Sequence, residues 1–237
     1  MTDITMHSAK RVGQCIGVLL LVQLAGLIVP FVMLHPITRG SRDWLANAAA
    51  GAFQIKAAVF LLFANTALTI GIAIAAWPVF RRYSERMALW TVALAVIMFT
   101  LQAVDNAHVL SMVSLSQQFA QAGGPDDVFQ TLAAAAGSTR RWVHYSELLA
   151  IDAWVFMLYS ALFRYALVPR ALAVLGLLTV VLHLTGITLP LWLGYASITL
   201  LGASMALGHT ALAGWLMGRG FEERPFGPRS DEESARE

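Results

Sequence analysis

Six stretches of this chain, at about residues 13–34, 55–77, 88–110, 142–164, 171–189 and 192–217, run for the length of a bilayer-crossing helix with almost no charge. A backbone that enters hydrocarbon must satisfy all its polar groups internally, which leaves only helices and closed barrels. Barrel strands alternate and are short, whereas these runs are continuous, so helices are expected. The expected fold is therefore all-α: a polytopic transmembrane bundle of six helices. It occupies residues 1–217 as one membrane domain, followed by a disordered cytoplasmic tail at 218–237. The tail, ending FEERPFGPRSDEESARE, mixes charge, proline and glycine.

Composition closes off the alternatives. The chain has 237 residues, 58% of them hydrophobic and 13% charged, where soluble proteins carry about a quarter charged residues. A net charge of +2 gives no reason to expect a nucleic-acid partner. Cys15 is the single cysteine, which excludes an intrachain disulfide and a thiolate cluster. The first apolar segment lacks a small-residue cleavage pattern and reads as a retained span.

The distribution of positive charge sets the direction. Eleven basic residues, among them Lys10, Arg11, Arg81, Arg82, Arg86, Arg164 and Arg170, fall on the side shared by both termini; Arg39, Arg42, Lys56, Arg140 and Arg141 fall on the other. Both termini are thus expected in the cytoplasm. Two substantial loops lie outside. HPITRGSRDWLANAAAGAFQ is expected to hold a short interfacial helix anchored by Trp44 and Phe53. SLSQQFAQAGGPDDVFQTLAAAAGSTR contains a GGPDD turn that alanine-rich helix could flank. A tight turn around TLPLWLGY, with Pro190 starting the last helix, joins spans five and six. No internal repeat is evident, which leaves little basis for the alternating access of a transporter unless the chain forms a homo-oligomer.

Within the spans, ionisable groups are expensive and need partners, which makes each a candidate for function. Asp105 and His108 are three apart and share a helix face; Gln102 and Asn106 overlap that strip. His144 and Glu147 repeat the spacing on span four, while Asp152, five residues beyond Glu147, points elsewhere. Asn65 lies in span two and His183 in span five. Asp105, His108, His144, Glu147 and His183 are thus expected to converge in the outer half of the bundle. Gly202, Ala206, His209 and Ala213 form a small-residue stripe on span six, with His209 as an interhelical hydrogen bond.

Carboxylates in an apolar pocket beside histidines suit general acid–base chemistry. Asp105, Glu147 and Asp152 would transfer protons, with His108 and His144 orienting or relaying, on a membrane lipid or lipophilic small molecule. The same residue types could bind zinc or iron, and two histidines could ligate haem. A third reading makes the polar groups helix-pinning devices in a structural or regulatory protein. There is no HExxH, GxSxG or phosphate loop to select an activity or a cofactor.

The joint FMLYSALFRYALVPRALAVLGLL, with Arg164, Pro169, Arg170 and Gly176, resembles that of a family of uncharacterised bacterial six-helix membrane proteins. The resemblance implies the same fold over residues 11–217 and no activity. In that family the third helix carries an arginine followed three residues later by a glutamate, and the matching positions here are Gln102 and Asp105. The acid remains, one methylene shorter, and its positive neighbour is gone. Asp105 therefore needs another partner: His108, Asn106 or a group on span four.

Overall fold

The structure, a computed structural model, describes residues 6–38, 44–123, 127–193 and 199–222. It contains eight helices among the described residues: α1 Met6–Met33, α2 His35–Thr38, α3 Trp44–Asn47, α4 Ala52–Tyr83, α5 Glu85–Ala122, α6 Asp127–Arg164, α7 Arg170–Leu193 and α8 Thr199–Arg219. Six are long, although the expected count of six spans is not met in full. Five of these, α1 and α4 to α7, are long and apolar enough to cross a membrane; α8 falls short of that standard over its described residues. The chain is a multi-pass helical membrane protein.

Each long helix packs on its predecessor and successor, and α8 closes the circuit on α1. Consecutive helices run up and down, so one end of the ring carries the start of α1, the end of α8, the α4–α5 turn and the α6–α7 joint. We call this the terminal end and its opposite the far end. Ser84 alone makes the α4–α5 turn. Its extended backbone (φ −161°) breaks the helix, its N–H bonds the Phe80 carbonyl, and its hydroxyl accepts from Met87 N–H.

At the α6–α7 joint, Leu167 N–H bonds Leu162 C=O at 3.1 Å and Ala166 N–H bonds Phe163 C=O at 3.3 Å. This pair of bonds is a Schellman ending, and it places Ala166 in the left-handed region at φ 49°. Pro169 then opens α7, its carbonyl taking the first helical N–H groups. The folded body does not stop at 217. Gly220 turns with φ 71° where a Cβ would strike the Lys10 carbonyl, Phe221 is buried, and Glu222 N–H bonds Leu167 C=O at 2.8 Å. Residues 223–237, the remainder of the expected tail, lie outside the described residues.

Several boundaries move. α5 and α6 have 38 residues each, roughly 57 Å at 1.5 Å per residue against a hydrocarbon layer of about 30 Å. The expected second outer loop is therefore mostly a helical extension of both, with Gly123 (φ 81°) ending α5 and Phe119 edge-on to Phe129 across the hairpin. Pro190 sits inside α7 rather than starting the next helix, and the turn at Gly194 lies outside the described residues. The first outer loop does form short helix, as α2 and α3. Trp44 packs inward there, but Phe53, in the first turn of α4, is exposed.

The apolar interior comes in two parts. The larger, near the terminal end, holds Ile16, Leu20, Ile72, Phe80, Trp154, Leu158, Leu162 and Leu216. Gly176 lets α7 close on α6 there, since a Cβ would overlap the Tyr159 ring. The smaller, at the far end, joins Leu34, Ile37 and Ala48 to Ile55, Val59, Val109, Met112 and Val113. Ser116 locks it: its hydroxyl donates to Leu45 C=O at 2.6 Å and accepts from Ala49 N–H at 2.8 Å.

Candidate functional site

Between those two apolar cores lies a stratum of buried polar side chains: Asn65 and Thr66 on α4, Gln102, Asp105 and Asn106 on α5, Glu147 and Asp152 on α6, and His183 on α7. Their coincidence at one level follows from the up-down packing. On α4 the order is Val59, Asn65, Ile72; on α5, antiparallel to it, Ala95, Gln102, Val109. Buried polar groups must find partners or cost stability, and apart from Asn65 these fall into three separate sets.

The first set pins α5 to α4. Gln102 Nε2 donates to Asn106 Oδ1 at 3.2 Å, Asn106 Nδ2 donates to Val59 C=O at 3.3 Å, and Thr66 Oγ1 reaches Gln102 Oε1 at 3.3 Å. The strip expected on α5 thus divides: Gln102 and Asn106 face α4, and Asp105 faces α6.

The second set is the candidate site. Asp105, 2% exposed, meets Arg140 of α6, with Nη2 donating to Oδ2 at 3.3 Å and Nε 3.2 Å from Oδ1. His144 Nδ1 lies 3.3 Å from Glu147 Oε2 and 3.7 Å from Asp105 Oδ2. Arg140, His144 and Glu147 are four and three apart, so a single face of α6 presents all of them to Asp105. Glu147 is buried, whereas the His144 side chain is 40% exposed and is the group through which the cluster meets its surroundings. Measured from the terminal end of α6, these residues stand about 25–36 Å up at 1.5 Å per residue, the level of the far membrane boundary. Above them α3 crosses the α5–α6 hairpin, with Trp44 beside Gly137, one turn beyond Arg140. The first outer loop, not the second, roofs this region.

The third set belongs to α6 and α7. His183 Nδ1 donates to Asp152 Oδ1 at 2.7 Å, while Asp152 Oδ2 is buried without a hydrogen bond. At about 18 Å from the terminal end, this pair is deeper than the first cluster, on another face of α6. Asp152 and His183 therefore do not join Asp105 and Glu147, as the five-residue spacing implied for Asp152 but not for His183.

Two sequence expectations are corrected. His108 does not pair with Asp105; its Nδ1 donates to Val104 C=O of its own helix at 2.8 Å, one turn back. His209 likewise bonds its own helix, at Met205 C=O (3.0 Å), and meets α6 through an edge-on contact with Tyr159. The stripe around it is split, since His209 and Ala213 are buried but Gly202 and Ala206 are exposed. Arg140 is the residue that sequence reasoning misplaced. A span limited to about twenty residues begins at 142 and leaves Arg140 in a loop, although its spacing to His144 and Glu147 was the signal that it shares their face.

In chemical terms the cluster holds two carboxylates against one guanidinium, plus a histidine able to carry a proton. Asp105, His144 and Glu147 also offer one ligand atom each within 4.8 Å of one another, the arrangement that can hold a metal ion. The family described as a domain of unknown function, DUF4386, matches residues 15–220, and the chain belongs to it. No curated protein and no solved structure matches the chain.

Proposed function

From a family with no assigned activity the chain inherits none, and we propose that it is a membrane-embedded enzyme acting on a lipophilic small molecule by carboxylate acid–base chemistry. The observation that carries this reading is the Glu147–His144 pair: a buried carboxylate held 3.3 Å from a half-exposed imidazole, beside the Asp105–Arg140 ion pair. Glu147 takes or gives the proton at its Oε2. His144 exchanges it with the outside, because it alone of the pair reaches solvent or headgroups. Asp105 holds Arg140 in place, and the guanidinium stabilises negative charge developing on the substrate. Asp152 and His183 fix α6 against α7 from behind.

The level of the cluster suits an amphipathic substrate, with its apolar body in lipid and its reacting group at the far boundary. In the proposed orientation, which the charge distribution supports, both termini lie in the cytoplasm of a bacterial inner membrane and the cluster faces the outer side. Isomerisation, cyclisation and hydrolysis all need such a proton transfer.

The test is untargeted mass spectrometry of a membrane-lipid extract incubated with wild-type protein or with Glu147→Gln in nanodiscs. Wild type is expected to consume species and form products that Glu147→Gln does not, at equal thermal stability. Wild-type turnover by both Glu147→Gln and Asp105→Asn would sink the roles of the two carboxylates. Identical extracts before and after wild type would favour the helix-pinning reading, which the mutual pairing of the four groups otherwise supports.

A further inference from the structure

The distances within the far-end cluster carry a more specific assignment. Ligand atoms about 2.0–2.1 Å from a tetrahedral zinc ion stand about 3.3 Å from each other. His144 Nδ1 is 3.3 Å from Glu147 Oε2 and 3.7 Å from Asp105 Oδ2, and the third edge of the triangle is within 4.8 Å. One edge already has that length and the second is slightly longer, within reach of a small turn of the carboxylates about their side-chain bonds. On the Arg140 side of the same carboxylate, Asp105 Oδ1 is buried with no hydrogen bond among the described residues, so Arg140 does not satisfy both oxygens of this 2% exposed residue. Its ion pair with Arg140 leaves that oxygen's lone pairs without an aligned donor.

We propose that Asp105, His144 and Glu147 bind a divalent first-row transition-metal ion. The donor set of one imidazole nitrogen and two carboxylate oxygens suits zinc, iron(II) or manganese better than copper(I), which favours sulfur, or calcium, which takes six or more oxygens. Three protein ligands leave a fourth position open on the side where His144 is exposed, the layout of catalytic rather than structural zinc. The charges say what fills it. A divalent ion and Arg140 together outweigh the two carboxylates by one positive charge, so the fourth ligand is an anion: hydroxide, or the anionic group of a substrate. Arg140, held on the Asp105 carboxylate, is the nearby cation that would pair with the same anion. This assignment rests on the cluster used for the acid–base reading and supplies it with a cofactor, but metal binding is measured without turnover.

The experiment uses full-length protein in nanodiscs, stripped with a chelator and titrated with Zn2+ or Co2+. One equivalent per chain is expected, with the intense visible absorption of four-coordinate Co2+ and a Zn2+-dependent rise in unfolding temperature. Asp105→Asn, His144→Ala and Glu147→Gln should each weaken binding by about tenfold or more, whereas His108→Ala should bind as wild type. Arg140→Gln removes a competing positive charge and should bind Zn2+ about tenfold more tightly; a gain of this kind cannot come from misfolding. Binding below a tenth of an equivalent, unchanged affinity in both His144→Ala and Glu147→Gln, or weaker binding by Arg140→Gln shown to be folded at the titration temperature would each overturn the assignment. Full turnover by stripped protein overturns the metal and leaves the acid–base reading. Stoichiometric metal on a protein that turns nothing over supports the metal and removes that reading.

Discussion

Replacing Arg140 by Gln should destabilise the protein, and adding Asp105→Asn to that variant should cost little more. The pair is buried on the acidic side and 14% exposed on the basic side. Removing one partner of a buried pair strands the other charge and costs about 3–5 kcal/mol. Two features of the geometry put this case at the low end. Only one of the two N···O contacts, Nη2 to Oδ2, is an aligned hydrogen bond, and His144 Nδ1 at 3.7 Å stands ready to take over part of the load. About 3 kcal/mol is therefore expected for Arg140→Gln. Asp105→Asn leaves a guanidinium with some access to solvent and should cost less, about 2 kcal/mol. The double variant no longer strands either charge, so its loss should fall short of the roughly 5 kcal/mol sum by about 2 kcal/mol. The cycle is measured by chemical or thermal unfolding in one detergent, followed by tryptophan fluorescence. Additivity of the two losses within about 0.5 kcal/mol would refute the claim that these residues are partners.

Three other substitutions probe the frame around the site. Ala166→Gly removes the Cβ penalty of a left-handed residue at the α6–α7 joint and should raise stability by about 1 kcal/mol in the same unfolding assay, the opposite sign to most mutations. Gly176→Ala drives a methyl into the Tyr159 ring and should cost about 1–3 kcal/mol, whereas Gly71→Ala, with open space around it, should be neutral or better. His183→Ala strands Asp152 and should cost about 3 kcal/mol with partial rescue by His183→Gln, while His108→Ala, which breaks only a bond to its own helix, should stay within about 0.5 kcal/mol of wild type.

The fold was legible because a bilayer imposes it: a run of about twenty apolar residues has one helical solution, and six such runs predict six long helices. What hydropathy could not show is where those helices end. Nothing in an apolar-run criterion stops α6 at the membrane surface, and its alanine-rich start carries it outward to Asp127. That extension is what places Arg140 on the face of His144 and Glu147. The candidate site was thus half legible. The spacing of His144 and Glu147, and the need of Asp105 for a partner on span four, could both be read from the residues. The expected Asp105–His108 pair was not formed because residues three apart share a face but need not bond. His108 has a carbonyl of its own helix closer at hand, and Asp105 has a cation across the interface. Asp152 and His183 meet only because α6 and α7 are antiparallel neighbours at the right register, and a pairing of that kind is fixed by packing rather than by local spacing.

The most direct test of the account is an experimental structure of the protein in a lipid nanodisc at a resolution that shows ordered solvent and ions. The account predicts density for an ion, a water or a headgroup within about 3 Å of both His144 and Glu147, reached from the far boundary beneath α3. Dry, closely packed side chains there, with Asp105, Arg140, His144 and Glu147 bonded only to one another and no route to them, would contradict it and make the cluster a helix clamp.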